Sequence, residues 1–304
     1  MNQLDGLIFL ALAVCIGYAA SAWKLVGPAA ADILPQLLFN ICYPAMILET
    51  FSSIDLATLL GSGLPVAVAT VVITLILLFG SMAVFRRFPR EQRALYIFLA
   101  GIGNVTYVAI PLFQVFLSPA AVLVAILHGA SQDPLVWSVY NPLLVSSQSR
   151  SKNLMKEILT TPCLIATFIG LILVFTGISL PPALLSTASR ISSATSPIAL
   201  LLTGMLIHRY GLFSWVRDKK ALLYSVIRVL VFPLTTFALM APFMDPVTAV
   251  LLALLFGTPG PLMAVAWATQ AKSQVEFTTH CFLASTILYL IVVSPLLMFL
   301  GPYT

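Results

Sequence analysis

The chain is a near-continuous succession of apolar stretches, each about 20 residues long, the length an α-helix needs to cross the hydrocarbon core of a bilayer. Lipid offers no partner for a bare N–H or C=O, so only helices and closed barrels can span it, and runs this long select helices. Only 8% of the 304 residues are charged, against about 25% in soluble domains. The expected fold class is therefore an all-α polytopic membrane protein. Ten transmembrane helices fit, near residues 5–23, 32–52, 63–84, 94–117, 120–147, 158–177, 182–207, 221–242, 247–269 and 277–300. The polar breaks between them are short, which leaves no room for an appended soluble domain.

The charges orient this count. Lys24, the group Arg86, Arg87, Arg90 and Arg93, the group Arg150, Lys152 and Lys156, the group Arg209, Arg217, Lys219 and Lys220, and Lys272 all fall in odd-numbered connections. The other side carries the acids Asp5, Asp55 and Asp245. By the positive-inside rule both termini lie outside the cytoplasm. The net charge of +5 is thereby explained by topology, and no nucleic-acid partner is expected. Asp5, with no basic residue before the first apolar run, is the wrong charge for a signal peptide, so that run is read as a retained helix. Cys15, Cys42, Cys163 and Cys281 lie far apart in apolar stretches, and the three histidines are dispersed. Neither set predicts a metal site or a disulfide framework. No HExxH or GxSxG occurs, so no enzyme and no cofactor are expected.

The chain also repeats itself. Gly17 and Gly170, Pro44 and Pro197, and Pro142 and Pro295 are each 153 residues apart, and Gly103 and Gly257 are 154 apart. These pairs fall in order in the first, second, fourth and fifth spans of each half. Five spans per half is an odd number, so the second half enters the membrane from the opposite side: an inverted 5+5 repeat, an arrangement common in secondary transporters. The halves would be residues 1–148 and 158–304, joined by a cytoplasmic linker at 149–157. The repeat aligns two weakened helices, "LAGIGNVTYVAIPLFQVF" at 99–116 and "LALLFGTPGPLMAVAWATQ" at 252–270. Proline removes an amide hydrogen and glycine eases departure from helical geometry. Two such breaks at membrane depth predict a binding centre lined by half-helix ends, where amides favour anions and carbonyls favour cations.

Several stretches resemble the auxin efflux carrier family of membrane transport proteins. They are "LPQLLFNICYPAMILETFS" around Pro44, "GNVTYVAIPL" with Asn104 and Pro111, "SSATSPIALLLTGMLI" around Pro197, and "GTPGPLMAVAWATQAKSQVEFTTHCFLASTILYLIVVSPLL" with Pro259. The resemblance covers nearly the whole chain. It implies a compact, bacterial-type secondary transporter of the inner membrane whose fourth and ninth helices cross, a fold similar to bile acid sodium symporters and sodium/proton antiporters. It further implies mono- or dicarboxylate substrates of malate or malonate type, alternating access, and a proton or sodium as coupling ion. Ala264 stands where plant hormone exporters carry a second proline, and "HGASQDPLVW" is unusually polar, so auxin itself is not the expected substrate. A homodimer is one candidate assembly. A sodium-coupled organic-solute symporter and a membrane-embedded sensor or structural protein are the alternative functions.

The expected substrate-binding residues are Asn40, Pro44, Asn104, Tyr107, Pro111, Arg190, Thr195, Ser196, Thr258 and Pro259. Asp133, deep in the fifth span, and Asn104 are the candidates for ion coupling. Arg190 and Arg228 fit either attraction of a carboxylate or snorkelling toward an interface. His128 and Gln132, four apart, share a helix face with a structural role expected for His128, Asn141 is a further polar group of that span, and Glu49, His208 and His280 read as interfacial.

Overall fold

Because every amide in a lipid-facing segment must bond within that segment, the apolar runs condense into helices, and no strand occurs among the described residues. A computed structural model describes residues 3–140, 143–144, 160, 162–211, 213–271 and 273–303. The helices are α1 (Gln3–Ala22), α2 (30–52), α3 (Leu56–Val84), α4 (Arg90–Gly101), α5 (Val105–Phe116), α6 (Pro119–Tyr140), α7 (Pro162–Thr176), α8 (Pro182–Ser193), α9 (Thr195–Tyr210), α10 (Lys219–Met240), α11 (Pro246–Phe256), α12 (Leu262–Ala271) and α13 (Val275–Leu300). Among the described residues, five segments are long and apolar enough to cross a membrane: α3, α6, α8 with α9, α10 and α13; the pair α4 and α5, bent by 41°, makes a sixth. The apolar helical stretches Ala11–Ala22, Pro162–Thr176 and Pro246–Phe256 are shorter than that criterion. Ten full-length spans are thus more than these lengths establish. The expected linker at 149–157, together with Asn141 and Pro142, lies outside the described residues.

Several helices contain a widened turn just before a proline. Tyr43 N–H bonds to Leu38 C=O, Leu64 to Leu59, Ile110 to Val105 and Phe232 to Ile227, each reaching back five residues instead of four. Pro44, Pro65, Pro111 and Pro233 come next in the chain. A proline ring clashes with the carbonyl four residues before it and donates nothing to it, so the extra residue routes the ladder around the obstruction. The helices continue through these prolines instead of ending at them.

Packing follows a regular scheme. α1 lies along α9, while α7 lies along α2; α3 contacts α4 and α6, while α10 contacts α11 and α13. Glycine decides the closest approach in the first pair: a Cβ on Gly17 would strike the Leu201 carbonyl, and one on Gly204 the Val14 carbonyl. In the second pair, Gly170 accommodates the ring of Phe51. Asp55, Asp218 and Asp245 cap helix N-termini by accepting from the backbone N–H of Thr58 at 2.8 Å, of Lys220 and Ala221 at 3.1 Å, and of Thr248 at 2.9 Å. That role accounts for Asp55 and Asp245 without any appeal to topology.

Candidate functional site

Both weakened stretches are broken. α4 ends at Gly101 and α5 starts at Val105; α11 ends at Phe256 and α12 starts at Leu262. The two breaks touch, with Asn104 N–H donating to the Pro259 carbonyl at 2.9 Å. Helix ends leave orphan carbonyls and amides, and here side chains from neighbouring helices take them up. At the end of α4, the carbonyls of Leu99, Ala100 and Gly101 accept from Tyr224 Oη (3.0 Å), Arg228 Nη1 (2.7 Å) and Gln132 Nε2 (3.5 Å). Around the second break, Arg228 Nε donates to the Thr258 carbonyl at 2.8 Å, Tyr289 Oη to Leu254 at 3.2 Å, and Gly260 N–H to Ser285 Oγ at 2.9 Å. Much of the backbone freed by the two breaks is therefore bonded inside the protein.

The glycine of the first break serves the same closeness. Gly103 has no positive φ, so conformational freedom does not require it. A Cβ there would fall on the Thr258 hydroxyl and the Arg228 guanidinium. Gly257 likewise accommodates the ring of Pro233.

Beside the breaks lies a cavity of about 520 Å³. Its rim carries the Asp32–Arg209 ion pair, 2.6 Å apart, with side chains 62% and 36% exposed, whereas Asn104 at its depth is 4% exposed. It runs past Gln36, Asn40 and Tyr43 of α2 to residues 103–107 at the start of α5, Asp133 of α6, and Pro261 to Met263 at the start of α12. Two helix N-termini thus border one cavity, and the Asn104 side chain does not cap the first of them. Helix N-termini favour negative charge through their orphan N–H groups and dipole. One oxygen of Asp133, Oδ2, is buried without a hydrogen-bond partner.

Of the expected substrate residues, Asn40, Asn104 and Tyr107 line this cavity, and so does Asp133. Pro44 is half-buried, and Pro111, Thr258 and Pro259 are buried; none of the four lines the cavity. Thr258 donates its hydroxyl to Leu255 C=O at 2.7 Å, one layer behind. Thr195 Oγ1 is buried with no partner, and the Ser196 hydroxyl donates to Gln114 Oε1; both lie outside the lining. Arg190 is exposed near the end of α8. Arg228 is 1% exposed, which rules out snorkelling. His128 pairs with Thr70 at 3.0 Å and Gln132 with Thr74 at 3.2 Å, tying α6 to α3. Glu49 is half-buried. His208 bonds Ser21 at 2.9 Å, and His280 bonds Asp218 at 3.1 Å.

Sequence reasoning missed Asp32, Gln36, Tyr43, Thr106 and Arg209. Tyr43 meets α6 at Gly129, which leaves space for its hydroxyl, a contact between residues distant in the chain. Asp32 and Arg209 are 177 residues apart.

A family model described as membrane transport protein matches residues 4–297. No curated protein matches the chain.

Proposed function

Because the chain belongs to the membrane transport protein family, the auxin efflux carriers, we propose that it moves small carboxylates of mono- or dicarboxylate type across a bacterial inner membrane by alternating access. The observation that carries this reading is the cavity itself: a 520 Å³ space leading from an exposed charged rim to Asn104, where two broken helices meet. The bordering N-termini of α5 and α12 favour an anion, and Asn104 offers an amide donor beside them. The volume lies in the usual range for small-molecule sites.

In this reading the chain has ten spans in two inverted halves of five. The matched packing of α1 on α9 and α7 on α2 supports it, as do two breaks in corresponding places. With the basic connections in the cytoplasm, the rim at Asp32 and Arg209 faces inward and the termini face out. A charged Asp133 and a substrate anion in one cavity repel each other, so anion binding is coupled to a proton on Asp133. Tyr43, Tyr107 and Cys163 are titratable groups near that carboxylate.

The test is ligand-induced thermal stabilisation of the purified protein across a panel of small mono- and dicarboxylates, followed by flux of labelled hits into liposomes. At least one acid should raise the melting temperature and be transported, and Asn104→Ala should weaken its binding while leaving the apo protein as stable. Flux of no acid in the panel, or unaltered binding by the folded variant, would overturn the assignment.

A further inference from the structure

The ends of α4 and α11 bring carbonyl oxygens together deep in the protein. Carbonyls at the ends of broken helices are groups that can coordinate a coupling cation in carriers. Here part of the chain occupies that place. Arg228 is 1% exposed and donates through Nη1 to Ala100 C=O and through Nε to Thr258 C=O, so one guanidinium joins both breaks. Its remaining edge lies against Gly103, where no Cβ would fit, and its carbon sits 5.3 Å from the Phe232 ring centroid. Among the described residues, an ion pair forms at Asp32–Arg209 and a carboxylate–imidazole contact at Asp218–His280, but no acidic side chain pairs with Arg228. A buried charge needs compensation, and the partners it has are the Ala100 carbonyl in the last turn of α4, where the dipole favours a cation, and the Thr258 carbonyl two residues past the end of α11.

We propose that Arg228 is the resident cation of this carrier. Its guanidinium neutralises the C-terminal end of α4 and holds the Thr258 carbonyl of the second break, the place a bound metal ion would otherwise serve, and leaves the N-terminal ends of α5 and α12 free to act on a carboxylate in the cavity. It is a positioning residue: it holds the crossing and sets the field without lining the cavity. A planar fork that donates in two directions is needed for this, and the compact ammonium of lysine does not reproduce it. Two consequences follow: sodium is not required, and the preference for anions is built into the resting protein. The inference deepens the anion-transport reading and rests on it for the identity of the cargo, but the occupancy of the carbonyls can be tested without any substrate.

The first arm is thermal melting of Arg228→Ala in detergent. The variant should melt several degrees below the wild type, and millimolar methylguanidinium chloride should restore much of that loss, while the same concentration of sodium chloride should not. No response to methylguanidinium, or an equal response to sodium chloride, would overturn the proposal. Should Arg228→Ala not yield folded protein, Arg228→Lys is the second variant: transport about tenfold or more below wild type is expected, and wild-type transport by the lysine variant would overturn the assignment. The last arm replaces sodium by potassium or N-methylglucamine during wild-type carboxylate flux. Unchanged flux is expected, and strict dependence on sodium would overturn the proposal. Absence of flux for every carboxylate would instead fail the transport reading, leaving the melting arm to decide the role of Arg228.

Discussion

A methyl group on Gly103 would meet the Thr258 hydroxyl and the Arg228 guanidinium, two groups already fixed by hydrogen bonds. Overpacking a filled site costs about 1–3 kcal/mol, so Gly103→Ala should melt lower than the wild type and transport more slowly; an equally stable variant would mean that Thr258 or Arg228 yields. Asp133 carries the other residue-scale prediction. If its proton accompanies the anion, substrate affinity of the wild type should rise as pH falls through the range in which Asp133 titrates. Asp133→Asn, permanently neutral, should bind with little pH dependence. Affinity titrations at several pH values decide it, and the same slope in both proteins would remove Asp133 from the coupling. Asn104, Tyr107 and Asp133, which line the cavity, were named from the sequence, Asn104 and Asp133 as polar groups among apolar neighbours and Tyr107 as the aromatic of "GNVTYVAIPL". The role of Arg228 was not legible, because its partners are backbone carbonyls, and one of them, Ala100, is 128 residues away.

At the scale of elements, the positions of the helices could be read closely from the apolar runs, but among the described residues only five segments, or six with the bent pair, have the length a bilayer requires. The breaks were visible through Gly103, Gly257 and the prolines, though for glycine the reason turned out to be space. The widened turns left only an indirect mark, the prolines at positions 44, 65, 111 and 233 that directly follow them. Capping gives an element-scale prediction outside the membrane. Burial raises the Asp218 carboxyl, but the Ala221 N–H, the His280 ring and the Lys220 N–H outweigh it and hold it below its ordinary value. A carboxyl depressed in the folded state stabilises above its unfolded pKa, near 3.9, and loses that contribution as pH falls through the folded value. The melting advantage of the wild type over Asp218→Ala should therefore be present at about pH 5 and shrink below about 4. An advantage that persists undiminished in acid would show that the carboxylate charge is not what stabilises the cap.

For the whole molecule, the cavity has one charged rim and a buried end, so access should be one-sided in this state. A cysteine placed at Gln36, just inside the Asp32–Arg209 pair, should react with a membrane-impermeant thiol reagent added from the cytoplasmic side, and bound substrate should slow the reaction. Cys15 is the exposed native thiol among the described residues and has to be replaced first. Labelling from the outer side alone would reverse the orientation assigned to the chain. The widened turns before Pro44, Pro65, Pro111 and Pro233 have a consequence of a different kind. Each holds one residue more than an ordinary turn, and a single residue is worth about 100° of rotation around the helix axis. A one-residue deletion inside 105–109 would leave a helix there, yet it would swing everything beyond it to a different face. In such a chain the spare residues are stored within the helices, so a change in length is felt as a change of aim.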